Sequence, residues 1–244
     1  MTQYKWLLLD ADNTLFDFNA AEEFALTRTL IRFGVSPTAE VKARYRAINS
    51  ALWLDYDQGK ITQQVLGPRR FQLLFETSEF SGEPGDPEQW SAFFLNSLAD
   101  CPTLMPGAEK LCYRLSGRYI LALTTNGISQ VQRKRLKNSP LERYFGNRVF
   151  ISGEMGCRKP EKVYFEKVLD ALGCRKKSGQ VLVIGDSLSS DIRGAFNAQL
   201  DSAWLNRKGE RAWPVKPTYE LSGYPDLEKL LLPSPFDNFD YLRA

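Results

Sequence analysis

Short apolar runs that end in polar or small residues recur at wide intervals along the chain: Trp6–Leu9, Ile120–Leu123, Val149–Ile151, Val181–Ile184 and Ala203–Leu205. Each is too short for a helix and reads as a buried strand. From Gly107 onward the intervening stretches are amphipathic. Ala108, Leu111, Cys112 and Leu115 recur at helical spacing, and so do Phe165, Val168, Leu169 and Leu172. Strands alternating with helices predict an α/β fold, a Rossmann-like parallel sheet covered on both faces.

Between Asp17 and Asp100 that rhythm breaks, and helical patterns appear without a convincing strand. Val41, Tyr45, Ile48 and Leu52 form one apolar stripe, opened by Ser36-Pro37, where proline suits a first helical turn, and closed near Gly59. Trp90, Phe93, Phe94 and Leu98 form another, after the loop Ser81–Pro87. The economical reading is an α/β core built from residues 1–16 and 101–244, with an inserted α-helical cap domain over 17–100.

Composition narrows the chemistry mainly by one absence. The 244 residues contain no histidine, which removes Ser-His-Asp and Cys-His catalysis and the common histidine metal sites together. Acid–base work must fall to carboxylates, Lys, Tyr or Cys. Four scattered cysteines without a C-x-x-C pair argue against zinc or disulfides. A net charge of +3 is too small to imply nucleic acid, and Arg133-Lys134-Arg135 with Lys137 reads as a solvated helix face beside Val131 and Leu136. No apolar run approaches the roughly 18 residues a membrane helix needs. The apolar start ends in acidic residues without a cleavage-site pattern. The expectation is a cytoplasmic protein, monomer or homodimer, with no nucleic-acid or membrane partner. The tail Pro233–Ala244 carries Phe236, Phe239 and Tyr241, and its sequence leaves open docking on the core or a partner and a disordered terminus.

Open parallel sheets do their chemistry beyond the carboxyl ends of the strands. Those ends hold Asp10-Ala11-Asp12-Asn13-Thr14-Leu15, then Thr124-Thr125-Asn126-Gly127, then Gly185-Asp186-Ser187 with Asp191 further on, while Lys159-Pro160 precedes a helix. Taken singly, Asp186 is an N-cap candidate and Lys159 a solvated charge. Taken together, they suit phosphoryl transfer. One carboxylate can attack phosphorus, since Asp is a known covalent nucleophile for phosphoryl groups. A second can protonate the leaving oxygen and then activate water, help typically worth ~10²–10⁴ in rate. A hard cation such as Mg²⁺ would hold a carboxylate against a phosphate dianion, and Lys159 with the Thr125 hydroxyl would stabilise the equatorial oxygens.

This set of motifs resembles the haloacid-dehalogenase-like phosphatases. Asp10–Leu15 is similar to their first motif, Thr125-Asn126 to the second, Lys159-Pro160 to the third, and Gly185-Asp186 with Asp191 to the fourth. The resemblance implies Asp10 as nucleophile, Asp12 as acid and base, and Thr125, Asn126 and Lys159 as phosphate-binding residues. It also implies Mg²⁺ held by the Asp10 side chain, the Asp12 main-chain carbonyl, Asp186 and Asp191, the last directly or through water. Dehalogenases of this superfamily lack a carboxylate at the position of Asp12, having no alkoxide to protonate, so a phosphoester is implied.

The stretches Tyr45–Asn49, Leu52–Tyr56 and Gly59–Thr62 resemble the cap of bacterial pyrimidine 5′-nucleotidases, as do Thr125–Phe145 and Lys216–Tyr219. The implied substrate is a small phosphate ester, a pyrimidine nucleoside monophosphate. Trp53 or Tyr56 would then stack on a base, although an apolar cap seam is the plainer reading for Trp53. Sugar-phosphate phosphatases and phosphomutases share much of the pattern. A phosphomutase would use the same Asp10 and Asp12 and return the phosphoryl group to a sugar.

Overall fold

A computed structural model describes residues 4–212 and 214–232. The tail Pro233–Ala244 lies outside the described residues. The chain divides into two compact units, one formed by residues 1–16, 104–126 and 140–244, the other by 17–103 and 127–139.

The first unit is built on a six-stranded sheet in the order β3-β2-β1-β4-β5-β6. Its strands are β1 (Trp6–Asp10), β2 (Ile120–Thr125), β3 (Val149–Ile151), β4 (Val181–Gly185), β5 (Asp201–Leu205) and β6 (Tyr219–Leu221). All pair in parallel. Every residue of β1 and β4 is buried, which is why these strands read as unbroken apolar runs and not as alternating ones. On one face Trp6, Leu8, Val181 and Val183 pack with Phe165, Val168 and Leu169 of the helix Lys162–Ala171. Leu7 and Leu9, pointing the other way, are equally buried. The helices Ala108–Ser116 and Tyr224–Leu231 contact each other and lie against β2 and β6 respectively. The apolar runs of the sequence thus correspond to β1–β5. The remaining strand, β6, is a three-residue edge strand with no buried position, so it leaves no hydrophobic signature.

The second unit is helical, with α1 (Phe18–Arg32), α2 (Ala39–Asp57), α3 (Gln63–Phe75) and α4 (Pro87–Ala99). Among the described residues of 17–103 there is no strand. Side-chain caps start all four helices, Asp17 on Ala20 N, Thr38 on Val41 N, Thr62 on Val65 N and Asp86 on Glu88 N. Proline follows the Asp86 cap of α4, where its missing N–H costs nothing. Leu26, Leu30, Tyr45, Phe71, Trp90 and Phe94 form the shared core. Trp53 packs edge to face on Tyr56, with centroids 5.5 Å apart, in a smaller cluster with Leu52 and Leu66.

The helix Ser129–Lys137 belongs to this unit. Val131 enters its core, and Lys134 pairs with Asp100 at 2.6 Å. Arg133, Lys134 and Lys137 are solvated as the charge pattern implies, but Arg135 is not. It shares the inward face with Val131, Gln132 and Leu136 and is fully buried, donating to Gln132 Oε1 at 3.4 Å.

Candidate active site

The central strand β1 ends at Asp10, beside Thr124 of β2, while Leu9 pairs with Ile184 of β4. This register brings the ends of three adjacent strands together where side chains leave the sheet. Asp10 is buried. The chain then turns back on itself, with Ala11 O accepting from Leu15 N at 2.9 Å and from Phe16 N at 2.8 Å. The turn needs a left-handed residue. Asn13 supplies it at φ +57, a conformation asparagine tolerates better than most residues. Folded this way, the loop keeps the Asp12 charge near enough to raise the pKa of both Asp10 and Asp186.

Lys159 reaches the same point from the loop before the helix Lys162–Ala171. Its side chain is fully buried, and Nζ donates to Asp10 Oδ1 at 2.6 Å, Asp191 Oδ1 at 2.6 Å and Thr124 O at 3.1 Å. Asn126 fixes the backbone of this lysine. Its Nδ2 donates to Lys159 O at 2.8 Å, and its Oδ1 accepts from Lys159 N at 2.9 Å. Asp191 is buried as well, with Oδ2 accepting from Ser187 N at 3.2 Å. The Asp186 carbonyl accepts from Trp204 Nε1 at 2.8 Å, which ties the end of β4 to β5.

Carboxylate oxygens of Asp10, Asp186 and Asp191 lie within 4.8 Å of one another. Burial pushes the Asp10 carboxyl well above the usual range, Lys159 pulls against that rise, and Asp191, Asp186 and Asp12 add to it. Asp186 is pushed up to about 7, by burial first and then by Asp191, with Lys159 and Arg207 opposing. Burial works against the charge on Lys159, but Asp10 and Asp191 hold the ammonium above its ordinary range. The protein thus concentrates more negative charge here than its own cations neutralise. An all-carboxylate set of this kind fits a hard divalent cation such as Mg²⁺.

Asp10, Lys159, Asp186 and Asp191 are therefore in one cluster, with Asp12 within electrostatic reach. Thr125 is buried at the last position of β2. The side chain of Asn126 is turned to the Lys159 peptide. Two residues of the motifs contribute in ways their side-chain identity does not announce. The Thr124 carbonyl acts through its backbone, and Gly185 acts by lacking a side chain where Asp191 lies. Arg207, which donates to Asn13 O, and Tyr224, which donates to Thr14 O, stand far along the chain from the first motif and carry no sequence signal that ties them to it.

The family described as hydrolase, haloacid dehalogenase-like hydrolase, matches residues 4–199. The chain is 36% identical over 230 residues to pyrimidine 5′-nucleotidase YjjG of Escherichia coli, covering 94% of this chain and 98% of that one. It is 40% identical over 226 residues to pyrimidine 5′-nucleotidase PynA of Streptococcus pneumoniae, covering 92% and 93%. The magnesium-bound crystal structure of YfnB from Bacillus subtilis aligns with a TM-score of 0.87 at 33% identity, covering 94% of this chain and 99% of that one.

Proposed function

The chain belongs to the haloacid dehalogenase-like hydrolase family, and from that premise we propose that it is a Mg²⁺-dependent phosphatase acting on pyrimidine nucleoside 5′-monophosphates. The observation that carries the chemistry is the Asp10 carboxylate, buried at the end of β1 and held at 2.6 Å by the Lys159 ammonium inside a cluster of carboxylates.

In this reading an Asp10 oxygen attacks phosphorus, the ester P–O bond breaks, and Asp12 gives its proton to the departing nucleoside oxygen. Asp12, now a carboxylate, takes a proton from water. That water attacks the same phosphorus, the bond to Asp10 breaks, and inorganic phosphate leaves. Lys159 neutralises Asp10 and then the phosphoryl oxygens, and the Thr125 hydroxyl donates to them. Asn126 serves phosphate binding by holding Lys159 in place. Asp10, Asp186, Asp191 and the Asp12 carbonyl would hold Mg²⁺, which supplies positive charge for the transferring phosphoryl group. The magnesium in the YfnB crystal structure supports this cofactor.

The choice of substrate is supported by the two nucleotidases that match nearly the whole chain. A cytoplasmic location goes with it, since nucleoside monophosphates are charged metabolites of that compartment. The test is phosphate release from a panel of nucleoside monophosphates and sugar phosphates, with Mg²⁺ and with chelator. Chelator-sensitive release, highest for uridine, deoxyuridine or thymidine 5′-monophosphate, is the expected result. No Mg²⁺-dependent release from any phosphomonoester would sink the proposal.

A further inference from the structure

In the loop that carries Asp12, the carbonyls of Ala11, Leu15 and Phe16 are satisfied by the backbone itself. Ala11 O accepts from Leu15 N and Phe16 N, Leu15 O from Met105 N, and Phe16 O from Asn13 N. The carbonyls of Asn13 and Thr14 are different. Arg207 Nη1 donates to Asn13 O at 2.6 Å, and the Tyr224 hydroxyl donates to Thr14 O. These donors come from 194 and 210 residues away in sequence. They also touch each other, the Arg207 guanidinium lying 5.2 Å from the centre of the Tyr224 ring.

Both are mounted on braced backbone. Arg207 follows β5 directly after Asn206, whose Nδ2 donates to Glu210 O at 2.8 Å and Glu220 Oε1 at 2.6 Å while its Oδ1 accepts from Glu210 N at 2.8 Å. Tyr224 opens the helix Tyr224–Leu231, where Asp226 Oδ2 accepts from Ser222 N at 3.1 Å. We propose that Arg207 and Tyr224 are positioning residues that clamp the Asn13 and Thr14 carbonyls and thereby set the geometry of Asp12. The turn holds Ala11 O before Asp12 and Asn13 N after it, and the clamp adds the Asn13 and Thr14 carbonyls, which the turn leaves to side chains. Asn13 stands in the left-handed region at φ +57, and the carbonyls on either side of its link to Thr14 are the ones Arg207 and Tyr224 hold. The inference rests on the reading of Asp12 as acid and base.

The test uses the full chain with Tyr224→Phe, which removes one hydroxyl, and Arg207→Met. Amide hydrogen exchange over residues 11–16 is expected to quicken about tenfold in each variant with little change in Tm, because the loop loosens locally. On a nucleoside monophosphate, kcat should fall about tenfold with KM within about twofold. With p-nitrophenyl phosphate the first step, followed in single turnovers, should fall less than about threefold, since an aryl leaving group needs little proton donation. In an Asp12→Asn background Tyr224→Phe should cause no further loss with the nucleotide. Unchanged exchange in both variants, equal losses for the two leaving groups, or full additivity with Asp12→Asn would each overturn the proposal. If the unmodified protein turned over no phosphoester, the phosphatase reading would fail, and the exchange measurement would still decide whether the clamp holds the loop.

Discussion

A Cβ on Gly185 would lie 2.1 Å from Asp191 Oδ2 and 2.3 Å from its Cγ, so the carboxylate occupies the space a side chain would need. Asp191 has little room to retreat, since Lys159 Nζ holds Oδ1 at 2.6 Å and Ser187 N holds Oδ2 at 3.2 Å. Gly185→Ala is therefore expected to displace Asp191, to cost ~1–3 kcal/mol through overpacking and to remove most turnover. Denaturant melts and phosphate release check this. An alanine variant with parental stability and activity would mean that Asp191 does not sit against the end of β4.

Asp10→Asn is expected to keep the fold while lowering kcat by at least ~10³-fold, because an amide cannot form the acyl phosphate. Beryllium fluoride should inhibit the unmodified protein by mimicking a phosphorylated aspartate. Near-normal turnover in well-folded Asp10→Asn would remove Asp10 from the nucleophile role.

On the proposed reading the carboxylates would be unequal as metal ligands. Both oxygens of Asp191 already accept hydrogen bonds from the protein, whereas the pKa of Asp186 is pushed up to about 7 by burial and by Asp191. A cation relieves the second situation more than the first. Calorimetric titration with Mg²⁺ should find affinity reduced more than ~10-fold in Asp186→Ala, and reduced less in Asp191→Ala. The reverse order would exchange their roles.

What the sequence discloses follows from how far each interaction reaches. β1–β5 are legible because a buried strand must be apolar along its length, whereas β6 is a three-residue edge with no such requirement. The cluster at the strand ends is legible because Asp10, Lys159, Asp186 and Asp191 are chemically conspicuous and stand at predictable places in an α/β alternation. Their supports are not. The Asn126 clamp on Lys159 spans 33 residues, and the Thr124 carbonyl has no side-chain identity at all. Arg135 marks the limit of charge-pattern reading. Its place on the helix face shared with Val131 and Leu136 buries it, which no count of basic residues reveals.

Glu22 of α1 is buried in the helical unit and accepts a hydrogen bond from Asn49 Nδ2 at 2.5 Å. Burial raises its pKa, and the opposing pull of Arg70, Asn49 and Arg46 does not cancel the rise. A carboxyl with a raised folded-state pKa contributes stability that is full below the unfolded value and is lost as pH rises through the folded one. Glu22→Gln keeps the acceptor but cannot ionise, so its stability relative to the unmodified protein should improve as pH rises from the ordinary carboxylate range through the raised folded-state value. Urea melts across that range test the sign. A relative stability that falls with pH would mean that Arg70 outweighs burial.

Selectivity among phosphate esters is the sharpest prediction. Asp10, Lys159 and the neighbouring carboxylates can engage only a phosphoryl group and its cation, so by themselves they would treat all phosphomonoesters alike. Any preference must come from groups that meet the rest of the substrate, and their binding energy raises kcat when it aligns the ester with Asp10 and Asp12. Two relatives that match nearly the whole chain are pyrimidine nucleotidases, and on the proposed reading the base is the feature recognised. Ribose 5-phosphate isolates that term, since it carries the same phosphate on the same sugar carbon without the base. Uridine, deoxyuridine or thymidine 5′-monophosphate is expected to exceed it in kcat/KM by tenfold or more, about 1.4 kcal/mol of differential transition-state binding. Purine monophosphates should be poorer than the pyrimidines. Equal kcat/KM for ribose 5-phosphate would overturn base recognition and leave the roles of Asp10, Asp12 and Lys159 intact, because a phosphatase blind to the base would still need a nucleophile, an acid and a cation at the phosphoryl group.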